Sequence, residues 1–248
     1  IINKMSLYEI AENNDKLVEI ISKSEEYLVK GFSFSKKTLN TMRKVDRRDF
    51  LELVRLNNEI ICFNNKIIEH PSELAYLDEP VPIGYDQTCS QPSMVAYMAE
   101  LFKFEKGMRV LEIGTGCGYS AAVTSHLIGE EGFLVTIELN KDLVILALNN
   151  LAKHFDGLKK TEKRLLIKHG NGLLGSPEYG PYDRIYFTAG VQNRGNIDIS
   201  LLERQLKPNG WILIPECHGK IYLSKYNNSE EVIRDNLINA TFVPLVLS

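Results

Sequence analysis

The sequence predicts a doubly wound α/β domain built on a mostly parallel sheet and preceded by a helical extension. Three observations carry this expectation. After Pro82, short apolar runs alternate with segments of helical periodicity, the pattern of parallel strands covered on both faces. The turn after the first of these runs holds three glycines, Gly114, Gly116 and Gly118. The last two apolar runs have no helical pattern between them, so they close as a hairpin in which one strand runs antiparallel.

The elements follow in order. Residues 1–80 form the extension, with an irregular insertion, and residues 81–248 form the domain. In the extension Leu17, Ile20, Ile21, Tyr27 and Leu28, then Leu39 and Met42, recur at helical spacing, and Ser35 is placed to cap the second helix. Residues 52–69 are rich in Asn and Ile and read as an insertion or a short hairpin. Ser90, with Pro92 just inside, opens a helix striped by Met94, Val95, Met98, Leu101 and Phe102, with Gly107 as its end. Strands are expected at 109–113, 133–138, 165–168, 183–188 and 210–215, the last after the turn Pro208-Asn209-Gly210. Helices are expected at 119–128, 141–153 and 199–206, and the closing strands at 221–226 and 240–247. Seven strands result.

Bulk properties exclude several function classes. With 248 residues, 44% of them hydrophobic and 25% charged, the chain can bury one substantial core. A net charge of -3 gives no basic field for nucleic acid. Charge interrupts every long apolar run, so no membrane span is expected. The opening IINKMSLYEIAENN lacks the basic start and apolar stretch of a secretory signal. Cys62, Cys89, Cys117 and Cys217 are dispersed and form no C-x-x-C pair, which points to reduced thiols, no metal site and a cytoplasmic location. His70, His126, His154 and His169 lack ligand spacing.

In a doubly wound sheet, ligands bind beyond the carboxyl ends of the strands, where strand order reverses. The candidate is the turn Glu112-Ile-Gly114-Thr-Gly116-Cys-Gly118, whose glycines allow close approach of backbone to ligand. Glu138 ends the next strand about twenty residues on, where a carboxylate can accept hydrogen bonds from ribose hydroxyls. A dinucleotide fingerprint would need glycine where Tyr119 stands. The spacing G-x-G-x-G resembles motif I of S-adenosylmethionine-dependent methyltransferases.

Other segments narrow the resemblance. Ile83-Gly84-Tyr85-Asp86-Gln87-Thr88-Cys89-Ser90-Gln91-Pro92 is similar to the I-G-x-x-Q-T-x-S-x-P of the protein-L-isoaspartate (D-aspartate) O-methyltransferase family. Val45-Asp46-Arg47-Arg48-Asp49-Phe50 resembles its V-x-R-x-x-F, and Ala75-Tyr76 with Asp78 and Pro80 its A-Y-x-D-x-P. Downstream, Gly170-Asn171-Gly172 with Gly175, Pro181-Tyr182-Asp183, Gln205-Leu206 with Gly210, and Phe242-Val243-Pro244-Leu245 complete an ordered series from about residue 39 to 247.

The resemblance implies a Rossmann-like methyltransferase that uses S-adenosylmethionine and releases S-adenosylhomocysteine. It also implies methyl transfer to the free α-carboxylate of L-isoaspartyl residues in damaged proteins or peptides, the first step of repair through a succinimide. Glu112, Gly114, Gly116, Gly118, Glu138, Asn171 and Gly172 are then the expected cofactor-binding residues. Ser90 and Thr88 are the expected catalytic hydroxyls, and Ser90, Pro215, Cys217 and His218 the expected substrate contacts. From position alone Ser90 also reads as a helix cap, and Asn171 as a turn residue. The chain departs from the family pattern at Asn171, where Asp is usual, at Ser93, and at Pro215-Glu216-Cys217, where P-V-G is usual. These departures leave open a different peptide carboxylate as acceptor, or a silent binding protein with this fold. A monomer is expected.

Overall fold

The structure, a computed structural model, describes residues 10–28, 31–56, 61–63, 66–193, 197–218, 220–225, 231–235 and 241–246. The extension opens with α1 (Asn14–Ser22), in which Asn13 accepts from the Lys16 amide as N-cap and Leu17, Val18 and Ile21 are buried. Ile20, counted in the predicted stripe, is 47% exposed. The chain breaks at Lys23 and Ser24, so Tyr27 and Leu28 sit in a separate single turn, α2 (Glu25–Leu28). α3 (Lys36–Lys44) is capped by Ser35, whose hydroxyl accepts from the Thr38 amide as predicted. Residues 52–69 contain a hairpin of β1 (Ile61–Phe63) and β2 (Lys66–Ile68).

A second hairpin, β3 (Val81–Gly84) with β4 (Gln87–Cys89), precedes the domain's first helix. Tyr85 and Asp86 at its tip both have positive φ, 58° and 56°, as a two-residue hairpin turn matched to strand twist requires. That turn lacks the Asn-Gly or Asp-Gly pair that usually announces it, so the sequence reading passed over it.

The main sheet contains β5 (Arg109–Ile113), β6 (Phe133–Glu138), β7 (Leu165–His169), β8 (Tyr182–Phe187), β9 (Leu206–Pro215), β10 (Lys220–Lys225) and β11 (Glu231–Asp235). Their spatial order is β11-β10-β9-β8-β5-β6-β7. β5 to β9 are parallel, and β10 runs antiparallel to both neighbours, as the absence of a crossover helix predicts. The sheet is covered by α4 (Pro92–Phe102), α5 (Tyr119–Ile128), α6 (Lys141–His154), α7 (Leu158–Glu162) and α8 (Ser200–Glu203).

Alternate residues of β5 feed two cores: Val110 belongs to one, Leu111 and Ile113 to the other. The first core also takes Val18, Tyr27, Met42 and Phe50 from the extension, all at most 1% exposed. Burying a side chain of this kind contributes about 1.5–3 kcal/mol.

Several boundaries differ from expectation. α4 ends at Phe102, not Gly107, because Lys103 itself takes the left-handed C-cap conformation (φ 48°). The predicted helix 199–206 is a single turn, and β9 begins at Leu206, running through Pro208-Asn209-Gly210 with a register shift against β8. The last strand is β11 rather than 240–247. Residues 241–246 make only isolated bridges, Thr241 to His218 and Pro244 to Gly190, and positions 240 and 247 lie outside the described residues. A helix, α7, occupies the Lys159–Lys160 region expected to be a loop.

Candidate active site

Strand order reverses at β5, which has β6 and β7 on one side and β8 and β9 on the other. The chain leaving β5 must therefore turn sharply in front of two diverging strands. Gly114 and Gly118 do so at φ 96° and 92°, a region costly for other residues. A methyl group at Gly114 would overlap the Thr188 hydroxyl, and one at Gly118 would meet Leu151 at 3.0 Å. The turn is fastened from both sides. Glu138 Oε2 accepts from the amides of Thr115 (3.0 Å) and Gly116 (2.9 Å), and its Oε1 accepts from Asn140 N (2.9 Å). Thr188 Oγ1 donates to the Gly114 carbonyl at 2.6 Å.

Beyond these strand ends lies a cavity of about 390 Å³. Its size falls in the range of small-molecule sites, ~300–1,000 Å³. One end is polar, with Glu138, Asn140, Asn171 and Gly172. The middle is walled by Gly114, Thr115, Gly116 and Cys117. The other end gathers Thr88, Cys89, Ser90, Ser120 and Thr188 under a lid of residues 243–246. An elongated ligand with hydroxyls at one end and a backbone-sized approach in the middle fits this order of groups.

Seven of the residues singled out by the sequence line the cavity together: Thr88, Ser90, Gly114, Gly116, Glu138, Asn171 and Gly172. Asn171 Oδ1 accepts from Leu173 N at 2.9 Å, capping a short 3₁₀ turn (Gly172–Leu174). Ser90 is not the cap of α4. That position belongs to Gln91, with no side-chain bond, and the Ser90 hydroxyl has no hydrogen-bond partner among the described residues.

Five expected residues do not line the cavity. Glu112 is wholly buried behind the turn, where Oε1 accepts from Tyr186 OH (2.8 Å) and Oε2 from Thr136 Oγ1 (2.6 Å). Burial pushes its carboxyl up to about 7. Gly118 is the N-cap residue of α5, packed on Leu151. Pro215 ends β9, paired with Ile221, and Cys217 and His218 continue the chain beyond it; Pro215 and Cys217 are buried and His218 is exposed. Their backbone builds a small ladder instead. Val191 N donates to Pro215 O, Cys217 N to Val191 O, and Phe242 N to Cys217 O. Gly190 N then donates to Val243 O and Leu245 N to Gly190 O, which sets residues 243–246 over the cavity. Glu216, part of the departure from the family's P-V-G, is likewise off the cavity wall.

The segment carrying Thr88 and Ser90 is positioned by Arg47, 0% exposed. Its Nη1 donates to the carbonyls of Ala75 (3.3 Å) and Leu77 (2.8 Å), and its Nη2 to those of Glu79 (2.7 Å), Cys89 (3.0 Å) and Ser90 (3.0 Å). Half-buried Asp78 accepts from Ser93 N at 2.8 Å, and desolvation raises its carboxyl above the ordinary range. Arg47 and Asp78 stand in the sequence only as motif letters; the role of Arg47 depends on contacts to Cys89 and Ser90, more than forty residues away, and that of Asp78 on one to Ser93. Thr188, Ala189 and residues 243–246 are cavity wall that the sequence does not mark, the last because they read as strand.

Among the described residues no three His, Cys, Asp or Glu side chains could hold a metal ion, and no helix is long and apolar enough to cross a membrane. A model of the protein-L-isoaspartate(D-aspartate) O-methyltransferase family matches residues 13–248. The protein-L-isoaspartate O-methyltransferase of Fervidobacterium nodosum is 37% identical over 227 residues, covering 86% of this chain and 96% of that protein. Protein-L-isoaspartate O-methyltransferase 1 of Archaeoglobus fulgidus is 38% identical over 213 residues, covering 86% and 87%. A solved protein-L-isoaspartate O-methyltransferase superposes with a TM-score of 0.71 at 26% identity, over 94% of this chain and 66% of that one. A Plasmodium falciparum protein crystallised with S-adenosyl-L-homocysteine shares the fold, with a TM-score of 0.71 at 22% identity over 95% and 99% of the two chains. With the fold, the glycine turn and the ordered motifs in agreement, the chain belongs to the protein-L-isoaspartate(D-aspartate) O-methyltransferase family.

Proposed function

We propose that this chain transfers a methyl group from S-adenosylmethionine to the free α-carboxylate of L-isoaspartyl residues in damaged proteins, leaving S-adenosylhomocysteine. One observation carries the reading in this family member. One cavity runs from Glu138, past the glycine turn, to the hydroxyls of Thr88 and Ser90. When bound, the cofactor supplies an electrophilic methyl group.

The chain's own task is placement. A peptide α-carboxylate has a pKa of about 3.5 and is ionised at neutral pH, so no general base is needed. Ser90 and Thr88 offer hydroxyl donors that hold the carboxylate without forming a charge pair that would blunt it. Holding the reacting atoms about 3 Å apart and in line, away from water, accounts for the rate. Glu138 takes the ribose hydroxyls, Asn171 the adenine amino group, and Gly114, Gly116 and Gly172 keep the backbone close. Glu112, Gly118, Pro215, Cys217 and His218 act from behind, by supporting the turn and the 243–246 wall. The methyl ester then closes to a succinimide without further help from the protein.

Residues 1–80 are read as a helical extension and 81–248 as the methyltransferase domain. A cytoplasmic monomer acting on isoaspartyl proteins, with no nucleic-acid partner, completes the proposal; the acidic balance of the chain and its free thiols support it.

Methyl-labelled S-adenosylmethionine with matched isoaspartyl and aspartyl peptides tests this. Base-labile label on the isoaspartyl peptide alone, lost in Ser90→Ala, is expected. Intact cofactor binding without label on either peptide would refute it.

A further inference from the structure

Two thiols that the proposed transfer does not use face the same cavity. Cys89 ends β4 between Thr88 and Ser90, and Cys117 sits between Gly116 and Gly118; both are 2% exposed and both line the cavity wall. The two turns that carry them touch, since a methyl group built on Gly116 would lie 4.0 Å from the Thr88 carbonyl. The two thiols are near enough for each to perturb the other's ionisation.

Their charge environment is unequal. Arg47 Nε donates toward Cys89 Sγ at 3.5 Å. The remaining guanidinium N–H groups go to carbonyl oxygens, so no carboxylate quenches the charge by direct contact, and Asp78 is the neighbouring acid. Burial alone would raise the Cys89 thiol. Cys117 and Arg47 together outweigh it and lower the Cys89 thiol, while Cys117 is driven up. Cys89, beside the Arg47 guanidinium, is thus the sulfur that ionises more readily, with Cys117 the better proton holder, the arrangement that favours thiol oxidation at one particular site.

We propose that Cys89 and Cys117 form a modification site in the cavity wall, a dithiol that hydroperoxides convert to a disulfide. The Cys89 thiolate attacks the terminal peroxide oxygen; the O–O bond breaks and the alkoxide or hydroxide leaves, taking a proton from water. Cys117 then attacks the sulfenic sulfur. The S–S bond forms, the S–O bond breaks, and the hydroxyl leaves as water with the Cys117 proton. Two thiols are oxidised and one hydroperoxide is reduced to an alcohol, or to water, plus water. The new bond ties the Thr88–Ser90 segment to the glycine turn across the place where the cofactor's central part would lie. Binding and oxidation therefore exclude one another, a consequence that rests on the reading of this cavity as the methyl-donor site.

The full-length chain is treated with hydrogen peroxide, its remaining thiols are alkylated in denaturant, and peptides are mapped without reduction. Two of the four thiols are lost, and the only cross-link joins Cys89 to Cys117. S-adenosylhomocysteine at ten times its Kd slows the reaction about tenfold. Affinity for S-adenosylhomocysteine falls at least about tenfold after oxidation and returns on reduction with dithiothreitol. Cys89→Ser forms no cross-link. Four intact thiols, or a link to Cys62 or Cys217, would overturn the site. A Cys89–Cys117 link that S-adenosylhomocysteine does not slow, in protein that binds it, would overturn the blocking role. Untreated protein that binds no S-adenosylhomocysteine would instead overturn the reading of the cavity, and the mapping would still decide the dithiol.

Discussion

Replacing Arg47 separates the framework of the cavity from its chemistry. Four N–H groups on its two terminal nitrogens serve five carbonyls, from residues 75, 77, 79, 89 and 90, so one hydrogen is shared. Arg47→Met keeps most of the buried stem and removes all four donors. At about 1 kcal/mol net per hydrogen bond, the loss is about 4 kcal/mol, before any water enters to satisfy the carbonyls. That is a large share of a typical domain stability of about 5–15 kcal/mol. Arg47→Lys keeps the charge but offers three donors without the planar fork, and recovers about half of the loss. Urea unfolding followed by circular dichroism gives both values. Because two of the carbonyls flank the Ser90 backbone, the folded fraction of Arg47→Lys has kcat reduced about tenfold or more, with S-adenosylhomocysteine affinity changed less than about threefold. Arg47→Met within about 1 kcal/mol of the parent would refute the clamp. So would Arg47→Lys with parental kcat.

Other expectations follow from single contacts. Ser90→Ala lowers kcat by about 10–100-fold and leaves the unfolding midpoint within about 0.5 kcal/mol, because its hydroxyl caps no helix; a stability loss above 1 kcal/mol would return Ser90 to a structural role. Glu138→Gln sets an amide against one of three backbone N–H donors and weakens S-adenosylhomocysteine about 10–100-fold, measured by calorimetry; unchanged affinity would remove Glu138 from the site. Glu112 has a raised folded pKa, about 7, so its contribution is complete below the unfolded value near 4.5 and is lost as pH rises through 7. Glu112→Gln therefore gains about 3 kcal/mol relative to the parent between pH 4.5 and pH 8, and parallel pH profiles of the two proteins would contradict a buried titrating carboxyl. His126, held down at about 4 by burial and by Arg164 and His154, acts in the opposite sense. Its contribution is present above pH 6.5 and is lost as pH falls through 4, so His126→Asn flattens the acid limb of the unfolding midpoint.

The parts of the fold that the sequence announced are those set by local periodicity. β5, α5 and β6 match the expected bounds residue for residue, since a continuous apolar run or a helical stripe needs no distant partner to be recognised. The β3–β4 hairpin escaped because its positive-φ residues are Tyr85 and Asp86 and not glycine. The 241–246 wall escaped because its pairing is with Gly190 and Cys217, through bridges too short to leave an alternating pattern. His126 and His154 looked solitary in the sequence, yet their Nε2 atoms meet at 2.9 Å from two different helices. At the cavity, glycine spacing and the acid at the end of β6 were legible because backbone geometry demands them. Glu112 was misplaced because a strand alternates its faces, and one step from the turn is enough to send a side chain beneath the sheet.

The backbone ladder linking Gly190, Cys217 and residues 242–245 also makes the cavity wall depend on segments far apart in the chain. The glycine turn and its Glu138 clasp lie within the first 140 residues, while the wall over the hydroxyl end comes from residues 243–246. Without residues 241–246 the Thr88–Ser90 end of the cavity loses the wall that Val243 provides. Residues 243–245 are therefore the part of the wall whose place is fixed by a segment far back in the chain, at Gly190.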